Sequence, residues 1–289
     1  MTDLVPIPAL PFDLQQTLDS GQVFHWVAEE RGGYRGLIGE TPVRVVQRRE
    51  GEILVTPGAE ALAGRYFALD HDLESICASF PESPAMTEAV AFCRGVRIIR
   101  QPLWECLATF LTSSMKQVSH IRQMSQALRQ RFGERVPGWE PLALYPAPER
   151  LAKASEAELR ACGLGFRAKN LLATARAVAE GVVDLEAIRA LDDAAALAEL
   201  CRLPGVGPKI ANCTLLFAYE RLRAFPIDVW IERVLRRLYF ARKRNVTPAR
   251  LREFAAHSFG PYGGYAQQYL FHYARSRPRS WLHESPGEI

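Results

Sequence analysis

Between Leu203 and Asp228 the chain carries the two residues with the most chemistry to offer, a lysine and an aspartate. Lys209 ends the run LPGVGPK (203–209), and Asp228 follows in FPIDVW (225–230). An amine attacks only when unprotonated. Free lysine, with a pKa of about 10.4, is neutral about once in two thousand at pH 7, a deficit of roughly 4.6 kcal/mol. The start of a helix has a positive dipole end and works against an ammonium, and burial adds to this. A lysine so placed can attack a carbon and proceed to a Schiff base; it can also simply grip a phosphate. Asp228 has two compatible uses. Its carboxylate can cap the helix that VWIERVLRRL restarts, and a carboxylate held rigidly by a helix can stabilise developing positive charge.

The elements around these residues read as a helix, a glycine-flanked hairpin and a second helix. DDAAALAELCR opens with Asp192 or Asp193 as a cap, Pro208 stands where a first helical residue belongs, and Ile210, Cys213 and Phe217 mark one face of the next helix. Gly205 and Gly207 let the backbone approach a ligand, and the amides that start the helix point at an anion. The arrangement suits a phosphate-gripping hairpin; a tight turn between packed helices would look the same.

Further upstream, QVFHWVA, YRGLIG, PVRVVQRR and EILVTP (Gln22 to Pro57) are short runs rich in Val, Ile and aromatics. The turn signals between them predict an antiparallel meander. From about Leu73 the period becomes helical: Trp104, Leu107, Ala108 and Leu111; Ile121, Met124, Ala127 and Leu128; and Leu159, Cys162 and Leu164. PGWEPLALYPAP (137–148) is a proline-rich loop. Strands followed by helices predict an α+β protein. A small N-terminal antiparallel sheet domain is expected over 1–80 and an all-α domain over 81–289, with the helix-hairpin-helix at about 192–222.

The chain has 289 residues, 48% apolar and 24% charged, a profile that argues against disorder. No apolar run approaches the roughly 18 residues of a membrane span, and Met1 to Phe12 has no basic start. An unexported, cytoplasmic protein is expected, nucleoid-associated in a bacterium or nuclear in a eukaryote. Six cysteines without a C-x-x-C pair lack the ligand spacing of a zinc site or an iron-sulfur cluster. Net charge is only +4, yet Arg221 to Arg252 holds ten basic residues against Asp228 and Glu232. Such a stripe fits a polyanion or a solvated helix face.

LPGVGPKIANC followed by FPIDVW resembles the helix-hairpin-helix and Gly/Pro-Asp signature of base-excision DNA glycosylases. Lysine stands where bifunctional members use one. SGQVFHW (20–26), VRIIRQPLWECLATFLTSS (96–114), GLGFRAKN (163–170) and GPYGGYAQQYLF (260–271) are similar to 8-oxoguanine DNA glycosylases, in the right order over most of the chain. The resemblance implies a monomeric glycosylase and AP lyase acting on double-stranded DNA that contains 8-oxoguanine. It implies Lys209 as nucleophile at the sugar, with Asp228 stabilising charge and helping to deprotonate it. No redox cofactor is implied, but a structural monovalent cation on backbone carbonyls, those of Cys201, Leu203 and Val206, is.

Oxidation at C8 puts a proton on guanine N7, which is otherwise an acceptor, so a site that offers N7 an acceptor selects the lesion. The resemblance gives that task to the carbonyl of Gly21, the Watson-Crick edge to Gln267, and the stacking faces to Phe271 and Cys213. Taken alone, these residues read as a turn, a surface amide and two core side chains. A base inside a duplex must be flipped out. Phe166 matches the wedge beside the gap, and Arg167 one reader of the estranged cytosine. Met115 departs from an asparagine run, His120 from a second cytosine-reading arginine, and Trp230 from a phosphate-contacting histidine, which puts strict cytosine pairing in doubt. An alkylation-repair glycosylase would lack the lysine, and an endonuclease-III-like enzyme would carry a C-terminal cysteine cluster. A noncatalytic helix-hairpin-helix DNA-binding module would need neither Lys209 nor Asp228.

Overall fold

In the computed structural model, which describes residues 4–114, 116–240, 245–278 and 281, an antiparallel five-stranded sheet precedes a helical body. The strands are β1 (Val5–Ala9), β2 (Val27–Ala28), β3 (Tyr34–Ile38), β4 (Thr41–Arg49) and β5 (Gly51–Val55), in the order β1-β5-β4-β3-β2. Alternation sets the buried face: Val43 and Val45 of β4 and Ile53 and Val55 of β5 are fully buried. β1 is a strand that sequence reading missed, because Pro6 and Pro8 argue against one. It lies at the sheet edge, pairing Val5 with Val55 and Ile7 with Ile53, and an edge tolerates residues that cannot donate to a ladder.

QVFHWVA is a strand only over Val27–Ala28. Its earlier part is pulled off the sheet by Gln22, fully buried, whose amide bonds the Arg97 carbonyl at 2.7 Å and the Ile99 N–H at 2.8 Å. Phe24 then enters the helical core while Trp26 enters the sheet core, so neighbours two apart serve different bodies.

Helices α1 (Leu14–Asp19) and α2 (Glu60–Tyr66) cover the sheet side. The helical body is built from α3 (Leu73–Ala78), α4 (Pro84–Phe92), α5 (Leu103–Ser113), α6 (Val118–Phe132), α7 (Pro148–Ala152), α8 (Glu156–Leu159), α9 (Arg167–Ala179), α10 (Asp193–Cys201), α11 (Pro208–Phe217), α12 (Val229–Tyr239), α13 (Pro248–Ser258) and α14 (Gly263–Ser276). The expected helix around Leu159, Cys162 and Leu164 is α8 continued by a π-turn, Arg160–Leu164. At the centre α5 packs on α11, with the Phe110 and Phe217 rings stacked 5.3 Å apart. Between the sheet and the helical body runs the extended segment 96–101, whose Arg97 is fully buried.

Candidate active site

Asp192 is the residue that caps α10, accepting the Ala195 N–H at 2.8 Å. The turn after α10 is closed by the Val206 N–H on the Leu203 carbonyl at 3.1 Å, and Thr174 Oγ1 donates to the Pro204 carbonyl at 2.9 Å. Gly205 adopts φ +79°, and a Cβ there would stand 2.4 Å from Asn170 Nδ2, so a larger residue is excluded twice. Gly207 is the N-cap of α11, and a Cβ on it would meet nothing, which leaves its backbone open to an approaching group. Lys209 falls in the first turn of α11, as its spacing predicted. Its Nζ donates to Ser113 Oγ at 3.3 Å and lies 5.3 Å from the centroid of the Phe110 ring.

Asp228 caps α12, its Oδ1 accepting the Ile231 N–H at 2.8 Å. Burial pushes its carboxyl above the ordinary aspartate range. The Ile231 and Trp230 amides and the charges of Lys209 and Arg275 pull it back without cancelling the effect.

Lys209 and Asp228 open onto a single cavity of about 770 Å³, which Gly21, Cys213, Trp230, Gln267 and Phe271 also line. The loop carrying Gly21 is held from both sides. The Ser20 carbonyl accepts from Gln268 Nε2 at 2.9 Å, and the Gln22 carbonyl accepts from Gln101 Nε2 at 2.8 Å. Gly21 has φ +87°, and a Cβ would come within 3.2 Å of Phe271 and 2.7 Å of Arg275. Gln267 is 5% exposed, not a surface amide, and its Oε1 has no hydrogen-bond partner among the described residues. A buried acceptor left without a donor costs about 1–3 kcal/mol, and this one belongs to a residue that lines the cavity. Burial pushes the Cys213 thiol up to about 11, which makes it an inert wall at neutral pH. Phe271 lies under the Arg275 guanidinium, 5.2 Å from its centroid.

Phe166, Arg167 and His120 do not line the cavity. Phe166 is 60% exposed, an aromatic ring standing in solvent at the start of α9. Arg167, expected to offer its guanidinium to a cytosine, is 5% exposed and turned inward, Nε donating to the Ser114 carbonyl at 2.8 Å. His120 is exposed on α6, and Met115 lies outside the described residues. Much of the basic stripe is engaged internally. Arg221 holds the Arg189 and Leu191 carbonyls, Arg236 pairs with Glu232, Arg250 pairs with Glu253, and Arg237 covers Trp281. Arg223, Arg233 and Arg252 are exposed, and 242–244 lie outside the described residues.

Sequence reasoning missed Ser113, Phe110, Gln268 and Arg275, all at the cavity. Arg275 had a signal, standing one helical turn beyond Phe271; the others had none short of the tertiary fold. Among the described residues no group of three or more His, Cys, Asp or Glu is placed to hold a metal ion, and no helix is long and apolar enough to cross a membrane.

Residues 4–107 match the model of the 8-oxoguanine DNA glycosylase N-terminal domain, and residues 109–258 match that of the HhH-GPD superfamily base excision DNA repair proteins. A probable N-glycosylase/DNA lyase of Methanothermobacter thermautotrophicus is 30% identical over 93% of this chain and 95% of its own length. The N-glycosylase/DNA lyase OGG1 of Arabidopsis thaliana is 31% identical over 89% of this chain and 76% of its own. Among solved structures, the Clostridium acetobutylicum 8-oxoguanine glycosylase/lyase, bound to duplex DNA with cytosine opposite 8-oxoguanine, superposes with a TM-score of 0.86. It is 29% identical and covers 96% of this chain and 99% of that one. With its hairpin lysine and capping aspartate at one cavity beneath a matching N-terminal sheet domain, the chain belongs to the HhH-GPD superfamily of base excision DNA repair proteins.

Proposed function

We propose that this protein is a bifunctional DNA glycosylase and AP lyase that removes 8-oxoguanine from duplex DNA. One observation carries the reading. A nucleophile, a carboxylate and a buried, unpartnered amide oxygen, those of Lys209, Asp228 and Gln267, converge on a cavity large enough for a flipped base.

In this reading the target nucleotide leaves the stack while Phe166 fills beside the gap. The Gly21 carbonyl accepts the N7 proton that only the oxidised base carries. Phe271 and Cys213 face the two sides of the ring, and Gln267 meets its Watson-Crick edge. The Lys209 amine, once deprotonated, gives its lone pair to the sugar C1′, and the electrons of the glycosidic bond leave with the base. Asp228 stabilises the positive charge that builds on the sugar during this step. The sugar ring opens to a Schiff base on Lys209. Loss of a C2′ proton then expels the 3′ phosphate, which cuts the strand.

The protein acts as a monomer on DNA, with Gly205 and Gly207 bringing the hairpin backbone to a phosphate and Trp230 beside the capped end of α12. No redox cofactor enters the scheme. A monovalent cation on the Cys201, Leu203 and Val206 carbonyls would brace the hairpin. The Leu203 oxygen accepts one N–H and keeps a second lone pair, and neutral carbonyls suit such an ion. No step runs through it. The same proposal divides the chain near residue 80, supported by a sheet core drawn mainly from residues 9–67 and a helical core that takes over from Leu73.

Borohydride trapping tests the reading. Wild-type protein should crosslink to a duplex containing 8-oxoguanine, and Lys209→Gln should not. Full trapping by the variant would assign the imine to another amine and defeat the proposal.

A further inference from the structure

We propose that Arg275 is a specificity-determining residue of the lesion pocket, its guanidinium donating to a carbonyl oxygen beside N7 of the flipped base. The inference rests on 8-oxoguanine being the substrate. Gln267, Phe271 and Arg275 stand one helical turn apart on α14, and all three line the cavity. Gln267 and Phe271 meet the edge and a face of the base, and Arg275 is the next residue along the same stripe.

The guanidinium is placed by the loop that carries Gly21. A Cβ on Gly21 would lie 2.7 Å from Arg275 Nη1 and 3.2 Å from Phe271 Cε1, so glycine leaves the room in which the cation stands. A basic residue in a last helical turn often serves the carbonyls of its own helix, but Nη1 reaches across to the Ser20 carbonyl instead. That contact is long, at 3.5 Å, and its oxygen already accepts from Gln268 Nε2 at 2.9 Å. The charged groups around Arg275 are Asp228, Arg122 and Asp19. Arg122 pairs with Asp19 at 2.6 Å and Asp228 Oδ1 caps α12, and among the described residues none of the three forms an ion pair with Arg275. Burial lowers its pKa from the ordinary arginine value, yet a guanidinium stays charged near neutral pH. A half-buried cation with most of its five N–H donors unused is short of acceptors.

The lesion supplies them. 8-Oxoguanine turns an acceptor–donor–acceptor edge toward Gly21, made of O6, the N7 proton and O8. A carbonyl that accepts from N7 is flanked by both oxygens and repelled by them. A fixed cation beside the same peptide offsets that repulsion by donating to one of them, and charge-assisted hydrogen bonds are the stronger kind. Because Nη1 stands next to both Gly21 and Phe271, a base stacked on Phe271 with N7 at the Gly21 carbonyl brings this edge to the guanidinium. A contact at O8 selects the oxidised base over guanine; one at O6 selects a guanine-derived base over an adenine-derived one.

Single-turnover excision from 8-oxoguanine duplexes, set against borohydride trapping on natural abasic duplexes, tests the contact. Arg275→Met should lower the ratio of the two rates about tenfold or more, the scale of a hydrogen bond from a charged donor. Arg275→Lys, which keeps the charge but not the fork, should fall between, and it carries the test if Arg275→Met fails to fold. The two oxygens are told apart by equilibrium affinity, read by fluorescence anisotropy in a Lys209→Gln background, for duplexes with 8-oxoguanine or with 8-oxoadenine, which keeps O8 and has an amino group in place of O6. Adding Arg275→Met should weaken binding to both if O8 is the acceptor and to 8-oxoguanine alone if it is O6; weakening of neither counts against the proposal. If both rates fall together, the guanidinium serves a phosphate or the fold, and if neither falls it serves nothing in the reaction; either result overturns the proposal. So would a lowered ratio that recovers as pH is raised from 6 to 9, which would mean that Arg275 only keeps Asp228 ionised. If wild type removes 8-oxoguanine and the ratio does not change, only this inference fails; if wild type leaves 8-oxoguanine in place, the functional reading itself fails.

Discussion

Asp228 combines a cap with a proposed catalytic role, and its burial comes at a cost to stability. As a cap it satisfies the Ile231 amide, yet burial raises its carboxyl above the ordinary value of about 3.9. The folded state therefore takes up this proton at higher pH than the unfolded chain does. The stability gained from that uptake is complete below the unfolded value and is lost as pH rises through the folded one, so the ionised carboxylate burdens the fold at neutral pH. Asparagine caps as well as aspartate and carries no charge. Asp228→Asn should slow excision by two orders of magnitude or more, with lesion affinity little changed. Its melting temperature should equal or exceed wild type at pH 7, and that advantage should be gone at pH 3. Thermal melts at both pH values, paired with single-turnover rates, check this; a markedly destabilised variant would mean that Asp228 is chiefly structural.

At the scale of elements, the cavity is assembled from ends. The hairpin presents Lys209 at the start of α11, Asp228 begins α12, Ser113 closes α5, and Gly21 follows α1. Ends expose unpaired amides and carbonyls and stay fixed by the helices behind them. The first turn of α6 is such an end, and His120 stands exposed on it. With His120 shorter than arginine and Arg167 turned inward, excision should prefer cytosine opposite the lesion only weakly. His120→Arg, placing a forked donor at this helix start, should raise the ratio of single-turnover rates opposite cytosine to those opposite adenine on the order of tenfold, given about 1–3 kcal/mol for a good base contact. An unchanged ratio would show that opposite-base choice is set elsewhere.

Across the whole molecule, the sheet and the helical body meet along residues 96–101, and the cavity needs both, since Gly21 comes from the N-terminal side of the chain and Lys209 from the helical one. Arg97 is the fastening. Fully buried, it donates to the carbonyls of Leu10, Pro11, Ala68 and His71. Arg97→Met should cost about 3 kcal/mol or more in urea unfolding, because several buried carbonyls lose their donor at about 1–3 kcal/mol each. A change under about 1 kcal/mol would show that the junction rests on packing alone. How much of this was legible beforehand follows from range. The places of Lys209 and Asp228 at two helix starts, the cap of α12 and strands β3 to β5 were determined by sequence, because spacing, capping and alternation act within a few residues. The edge strand β1, the unpartnered oxygen of Gln267, the inward turn of Arg167 and the grip of Ser113 on Lys209 were decided by the tertiary structure. Each depends on a partner, or the lack of one, that lies tens or hundreds of residues away, and local patterning holds no record of which distant group will be its neighbour.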